Sequence, residues 1–251
     1  MIEEVERKAV LITGGAKRIG CELALMLASK GYDIAISYNK SQEEAEKLSK
    51  KIRQDFKVRC EIFCCDLRDQ KQTQILAESV LKVFPAWNLL INNASIFNES
   101  KFLSSPDSLL EENLNIHFRS PLILSKFFAQ HVLSAAIEGA QIINMLDKNI
   151  VRFNTRYFHY LLSKKFLAEA TKMLALELAP KIRVNGIAPG FILNSVNEKN
   201  PNSETQNLLQ KIPLRTRGGI VDICRGIEFL LESSFVTGQI IFIDGGAGLV
   251  N

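Results

Sequence analysis

KAVLITGGAKRIGCELALMLASKG, residues 8–31, is the stretch on which the fold turns. Lys8 to Thr13 is a short apolar run with branched side chains, the composition of a buried strand. Gly14, Gly15 and Gly20 bracket a turn, and Ile19 to Lys30 reads as a helix ended by Gly31. Strand, glycine-rich turn and helix, in that order, is the context that makes a dinucleotide fingerprint credible. Small residues let the backbone approach a pyrophosphate, and the helix N-terminus offers it unpaired N–H groups.

The next strand, Asp33 to Tyr38 (DIAISY), bears on the choice of nucleotide. It runs into Ser37-Tyr38-Asn39-Lys40-Ser41, with no acid before Glu43. A carboxylate at that place binds ribose hydroxyls and repels a 2′-phosphate, whereas Lys40 and Ser41 can bind the phosphate and Lys17 can add charge. NADP(H) is therefore the expected cofactor. Ser41 also suits the N-cap of the following helix, and both roles can hold at once.

The rest of the chain alternates in the same way. Gln42 to Phe56 is a charged amphipathic helix, Arg59 to Cys65 a third strand, and Asp66-Leu67 leads to a helix from about Gln70 to Val83. Asp66 has two readings, as the cap of that helix or as a cofactor contact. Leu89 to Asn92 is a fourth strand, Leu109 to about Ala136 gives two helices, and Ala140 to Met145 is a fifth strand. Phe158 to Ala179 is a helix, Arg183 to Ala188 a sixth strand, Val221 to Glu232 a helix and Ile240 to Ile243 the last strand. Between them Ile192 to Pro213 is polar, irregular and rich in Asn, and a loop near residues 191–213 is expected to cover a substrate.

Composition narrows the classes. A length of 251 residues and 47% hydrophobic content suit one α/β domain spanning residues 1–251. The net charge of +4 comes from spread basic residues, not from the cluster a nucleic-acid surface needs. No apolar run approaches the ~18 residues of a membrane span. The start, MIEEVERKAV, is acidic and lacks the apolar core of a signal peptide. Five cysteines without a C-x-x-C suit reduced thiols in a cytoplasmic protein. No metal-ligand cluster and no repeat stands out.

The chemistry concentrates in residues 144–164, NMLDKNIVRFNTRYFHYLLSK. Tyr160 and Lys164 are four apart and share one helix face. An ammonium beside a phenol favours phenolate, so Lys164 is expected to lower the Tyr160 pKa below its usual ~10. Asp147 stands at the end of the apolar run, where a strand delivers it to the same pocket.

Tyr160-x-x-x-Lys164 after a strand resembles the active-site helix of the short-chain dehydrogenases/reductases. In that family a Ser stands thirteen positions before the Tyr; here the position is Asp147, as in the pteridine reductase and dihydromonapterin reductase branch. The turn Thr13-Gly14-x-x-x-Arg18-x-Gly20 resembles the family's turn with Arg18 replacing its middle Gly, and Asn92-Asn93-Ala94-Ser95 resembles N-N-A-G. Ser95-Ile96-Phe97 looks like the pteridine reductase version, in which the aromatic ring stacks on the pterin. Pro189-Gly190 matches the turn near the nicotinamide carboxamide, and the resemblance runs from Lys8 to Gly246.

The resemblance implies a doubly wound Rossmann-type α/β domain, with a mostly parallel sheet of about seven strands and the cofactor across their carboxyl ends. It implies Asp147, Tyr160 and Lys164 as catalytic residues. NADP(H) would contact Gly14, Lys17, Arg18, Ile19, Tyr38, Asn39, Lys40, Ser41, Asp66, Leu67, Asn93, Ala94, Ser95, Pro189 and Gly190, with Tyr160 and Lys164. The substrate would meet Arg18, Ser95, Phe97, Asp147 and Tyr160. The expected activity is NADPH-dependent reduction of a 7,8-dihydropteridine (dihydromonapterin, dihydrobiopterin or dihydrofolate) to the tetrahydro form. Two other readings stand beside it: a reductase of a ketone or 3-oxoacyl thioester, and a catalytically silent NADPH-binding sensor or scaffold. His117, in Ile116-His117-Phe118-Arg119-Ser120-Pro121, falls where the family's V-N-L-R-A-P segment carries a structural Asn. It either substitutes for that Asn by hydrogen bonding or is a satisfied buried histidine. The family also implies a homo-oligomer, a tetramer.

Overall fold

A computed structural model describes residues 7–192 and 203–250. Seven strands form one sheet: β1 Ala9–Ile12, β2 Asp33–Tyr38, β3 Cys60–Cys64, β4 Trp87–Asn92, β5 Ala140–Met145, β6 Ile182–Pro189 and β7 Ile240–Ile243. Their order is β3-β2-β1-β4-β5-β6-β7, and every neighbouring pair is parallel. The order reverses between β1 and β4, and the crevice outside the strand ends at such a point is where ligands bind in open α/β sheets.

The sheet is apolar on both faces because helices cover both. On one face Val10, Ile12, Ile34, Ile36, Leu89 and Ile91 pack with Leu23, Leu27, Leu48, Ile52, Ile223 and Ile227. These come from helices α1 (Arg18–Ser29) and α2 (Gln42–Phe56) and from Ile220–Glu232, the last helix. On the other face Leu11, Leu90, Ile142 and Val184 pack with Leu76, Val80, Leu124 and Phe128. Here the helices are α3 (Gln70–Val83), α5 (Ser120–Ser134) and α6 (Phe158–Leu178), with α4 (Asp107–Leu114) preceding α5. Adjacent strand residues alternate between the two clusters, as the two-residue period of a strand requires.

Four expectations change. β4 begins at Trp87, two residues early, because the buried Trp87 indole N–H donates to the Leu89 carbonyl at 2.8 Å and Asn88 is buried too. The cap of α3 is Asp69, which accepts from Lys71 N and Gln72 N, and not Asp66. Between α4 and α5 the chain passes through a π-helical turn, Asn115–Arg119. The irregular loop expected at 191–213 contains a helix, α7 (Ser203–Gln210), so the last helix is α8; residues 193–202 of that loop lie outside the described residues. The Asn- and Gln-rich composition hid α7 from a reading based on apolar periodicity.

Candidate active site

Glycine placement opens the crevice. Gly14 has φ +61°, and a Cβ there would lie 2.9 Å from the Ala94 Cα. A Cβ on Gly20 would come within 2.6 Å of the Gly14 carbonyl and 2.8 Å of Asn93 Nδ2. Both positions therefore need glycine for the loop after β4 to close on the turn after β1. Thr13 locks that closure. Its hydroxyl accepts from the backbone N–H groups of Asn93 (2.9 Å) and Ala94 (3.0 Å), while Asn93 Nδ2 donates to Thr13 O at 2.9 Å.

The result is a cleft of about 740 Å³ across the strand ends. All the residues expected to bind cofactor or substrate line it: Gly14, Lys17, Arg18, Ile19, Tyr38, Asn39, Lys40, Ser41, Asp66, Leu67, Asn93, Ala94, Ser95, Phe97, Asp147, Tyr160, Lys164, Pro189 and Gly190. Phe191 and Ile192, from the start of the loop expected to cover a substrate, join them, as do Lys148 and Asn149, which had not been singled out. His117 does not line the cleft; it is buried directly behind it.

Arg18 stands where the family's pattern has a middle glycine, and it adopts a left-handed conformation that favours glycine, φ 53°. A non-glycine residue held there costs about 1–3 kcal/mol, a strain that concentrates at functional sites. Lys17 is paired with Glu44 of α2 at 2.6 Å. Ser41 occupies the N-cap position of α2 without a side-chain capping bond. Asp66 accepts from the Arg68 guanidinium, which holds its carboxyl below the usual range.

At the other end β5 delivers Asp147. Its Oδ1 accepts from Asn149 N at 2.7 Å, capping a short 3-10 turn, Lys148–Val151. Its Oδ2 accepts from the Tyr160 hydroxyl at 2.9 Å. Burial, then the charge and hydrogen bond of Asp147, push the Tyr160 phenol well above its usual range, against a smaller opposing effect of the Ser95 hydroxyl. This corrects the expectation that Lys164 makes the phenol more acidic. The Lys164 ammonium donates instead to the Met145 carbonyl at 2.7 Å and lies 6.0 Å from the Tyr160 ring centroid. Burial lowers the Lys164 pKa to about 8, with Asp147 opposing.

Phe97 is 58% exposed at the cleft. One face stacks on Tyr157, with centroids 4.3 Å apart and planes 15° apart, and Tyr160 meets it edge-on at 4.8 Å. Tyr157, three residues before Tyr160, was missed in the sequence; the signal available was a second aromatic one helical turn before the expected catalytic one. Ser163, buried within α6 and hydrogen-bonded to His117, carried no signal at all.

The nucleotide end presents a glycine turn with Lys17 at a helix start and Lys40 and Ser41 beyond β2, and its one lining carboxylate among the described residues, Asp66, is paired with Arg68. This donor set fits NADP(H). Among the described residues there is no group of His, Cys, Asp and Glu that could hold a metal ion, and no helix long and apolar enough to cross a membrane.

Comparison with known proteins agrees with this layout. The family described as Enoyl-(Acyl carrier protein) reductase matches residues 14–248. The NADPH-dependent aldehyde reductase 1 of Arabidopsis thaliana is 31% identical over 250 residues, covering 96% of this chain and 86% of that protein. A 3-oxoacyl-[acyl-carrier-protein] reductase of Thermotoga maritima is 29% identical over 96% of this chain and 98% of its own. The dihydromonapterin reductase of Shigella boydii is 28% identical over 96% of both chains. The crystal structure of FolM alternative dihydrofolate reductase 1 from Brucella canis, complexed with NADP, superposes with a TM-score of 0.89 at 32% identity, over 98% of this chain and 96% of that one. With the sheet order, the glycine turn and the Tyr160–Lys164 pair in one cleft, this chain belongs to the short-chain dehydrogenase/reductase family of oxidoreductases and falls with its pteridine reductase branch.

Proposed function

We propose that the protein is an NADPH-dependent reductase of a 7,8-dihydropteridine, forming the tetrahydro product. The observation that carries this reading is the Tyr160 hydroxyl donating to the Asp147 carboxylate at 2.9 Å beside an exposed Phe97. When bound, NADPH supplies the hydride. Lys40, Ser41 and Lys17 would hold its 2′-phosphate, Arg18 and the N-terminus of α1 its pyrophosphate, and Lys164 its nicotinamide ribose. The open face of Phe97 takes a flat heteroaromatic ring, because the opposite face is already stacked on Tyr157.

The carboxylate favours C=N over C=O. A carbonyl reductase stabilises a developing alkoxide with neutral donors, and an ionised Asp147 at that place repels it. An imine carbon that gains hydride leaves a nitrogen in need of a proton. Tyr160, kept protonated by burial and by Asp147, holds that proton at its hydroxyl, and after its transfer to nitrogen Asp147 takes a proton from solvent and passes it to the phenolate. A second reading, reduction of a ketone or 3-oxoacyl thioester, is favoured by the carbonyl reductases among the relatives. NADPH consumption measured against a panel of dihydropterins and a panel of ketones and 3-oxoacyl thioesters separates the two. Turnover is expected with the dihydropterins; turnover confined to carbonyl substrates would transfer the assignment to the second reading.

A further inference from the structure

His117 lies outside the cleft, yet it touches both the wall and the floor of the candidate substrate pocket. Its ring is 1% exposed and sits in the π-helical turn Asn115–Arg119. Such turns are rare and concentrate at functional sites. The backbone N–H of Ile96 donates to Nε2 at 3.1 Å, and the Ser95 hydroxyl lies 3.0 Å from the same nitrogen. An amide N–H can only donate, so Nε2 carries a lone pair and the proton of a neutral ring is on Nδ1. That proton points at Ser163 Oγ, 2.9 Å away, and Ser163 passes its own to the Tyr160 carbonyl at 2.7 Å. The Ile96 amide sets the direction of this chain, which runs through His117 and Ser163 to the Tyr160 carbonyl. Burial first, and the charge of Lys164 second, keep the ring neutral.

We propose, on the basis of the pterin reductase reading, that His117 is a positioning residue which clamps the Ser95–Phe97 pocket wall onto α6 at Tyr160. Phe97 is more than half exposed, and its packing against this wall comes from Tyr157 and from the edge of Tyr160 alone, so its place also depends on how its main chain is held. The hydrogen bond from Ile96 N–H to His117 holds that main chain just before the ring. The clamp sets where a stacked ring lies relative to the Tyr160 hydroxyl without touching substrate or cofactor.

Two substitutions cut the clamp at different points. An Asn side chain reaches the Nδ1 position and can keep the Ser163 contact; a Gln side chain reaches the Nε2 position and can keep an acceptor for Ile96. The full chain would be compared as wild type, His117→Asn and His117→Gln in three measurements: amide hydrogen exchange at residues 95–97, binding of oxidised biopterin to the NADP⁺-loaded protein by fluorescence quenching, and NADP⁺ binding. His117→Asn is expected to exchange faster at Ile96 and to bind biopterin about five- to tenfold more weakly, the weight of one hydrogen bond. Its NADP⁺ affinity should stay within about twofold of wild type, within the spread of a distant contact. His117→Gln should keep exchange at Ile96 near wild type but, cut off from Ser163, should weaken biopterin to a similar degree. Unchanged exchange at Ile96 in His117→Asn, equally fast exchange there in the two variants, or wild-type biopterin binding in either would overturn the clamp. If wild type binds no biopterin, the pterin reading fails and the exchange data alone decide the role of His117. Should His117→Asn not fold, Ser163→Ala cuts the helix side of the clamp. It should weaken biopterin and spare NADP⁺, and unchanged biopterin binding would overturn the proposal equally.

Discussion

The two ends of the cleft rest on opposite electrostatic terms. At the nucleotide end the charges stand in water: Lys17 and Glu44 form an ion pair at 2.6 Å with side chains about half exposed, and Lys40 is exposed beside them. Exposed pairs of this kind contribute about 0–1 kcal/mol. At the chemical end Tyr160, Lys164 and His117 are 6%, 2% and 1% exposed, and each has a hydrogen-bond partner. A buried polar group left without its partner costs about 1–3 kcal/mol, and more when charged. One end should therefore answer substitution in small graded steps, the other in large ones.

The largest expected effect tests the buried end. Tyr160→Phe and Asp147→Ala should each lower dihydropterin turnover by about 10²–10⁴-fold, the usual worth of a positioned proton donor. NADPH affinity should hardly change. The double variant should lose less than the product of the two single losses, because the residues share one proton path. Steady-state kinetics with cofactor titrations measure all of this, and full dihydropterin activity in Asp147→Ala would remove the chemical support for the pterin reading.

The exposed end should respond less. Lys40→Asp puts a carboxylate beside the 2′-phosphate and should weaken NADPH by about tenfold, near 1.4 kcal/mol, while sparing NADH. Paired fluorescence titrations read the ratio, and an equal loss for both cofactors would contradict the assigned phosphate subsite.

Arg18 joins the two ends and trades stability for contact. Arg18→Gly relieves the strain at φ 53° and should raise unfolding stability by about 1 kcal/mol, while weakening binding of NADPH and of pterin. Thermal melts of the ligand-free protein alongside titrations would reveal the opposed changes; a loss of stability would mean that Arg18 is held by contacts worth more than the strain.

The smallest effect concerns Glu44, which engages Lys17 in the structure. Glu44→Gln should release Lys17 to the 2′-phosphate and tighten NADPH about two- to threefold at low salt, with the gain fading as salt screens it. A salt-independent change, or one shared by NADH, would point to a packing effect.

Much of this layout was legible in the amino acids. The glycine turn after β1, the missing acid after β2 and the Tyr160–Lys164 spacing all lie within a few residues of chain. Backbone geometry puts such close neighbours together, whereas the wider set lining the cleft, from Gly14 to Gly190, was implied by the family resemblance. α7 and the early start of β4 were not legible, since polar residues interrupt their apolar pattern.

What only the tertiary structure decided are the partners and proton positions. Lys164 was expected to acidify the phenol from one turn away, but its ammonium is turned to the Met145 carbonyl and the hydroxyl to Asp147. The tautomer of His117 follows from an amide 21 residues before it and a serine 46 residues after it. Sequence spacing determines which side chains share a face of a helix or strand. Burial and the distant groups that close around a side chain determine where its proton sits, because desolvation and hydrogen bonding act through space and not along the chain.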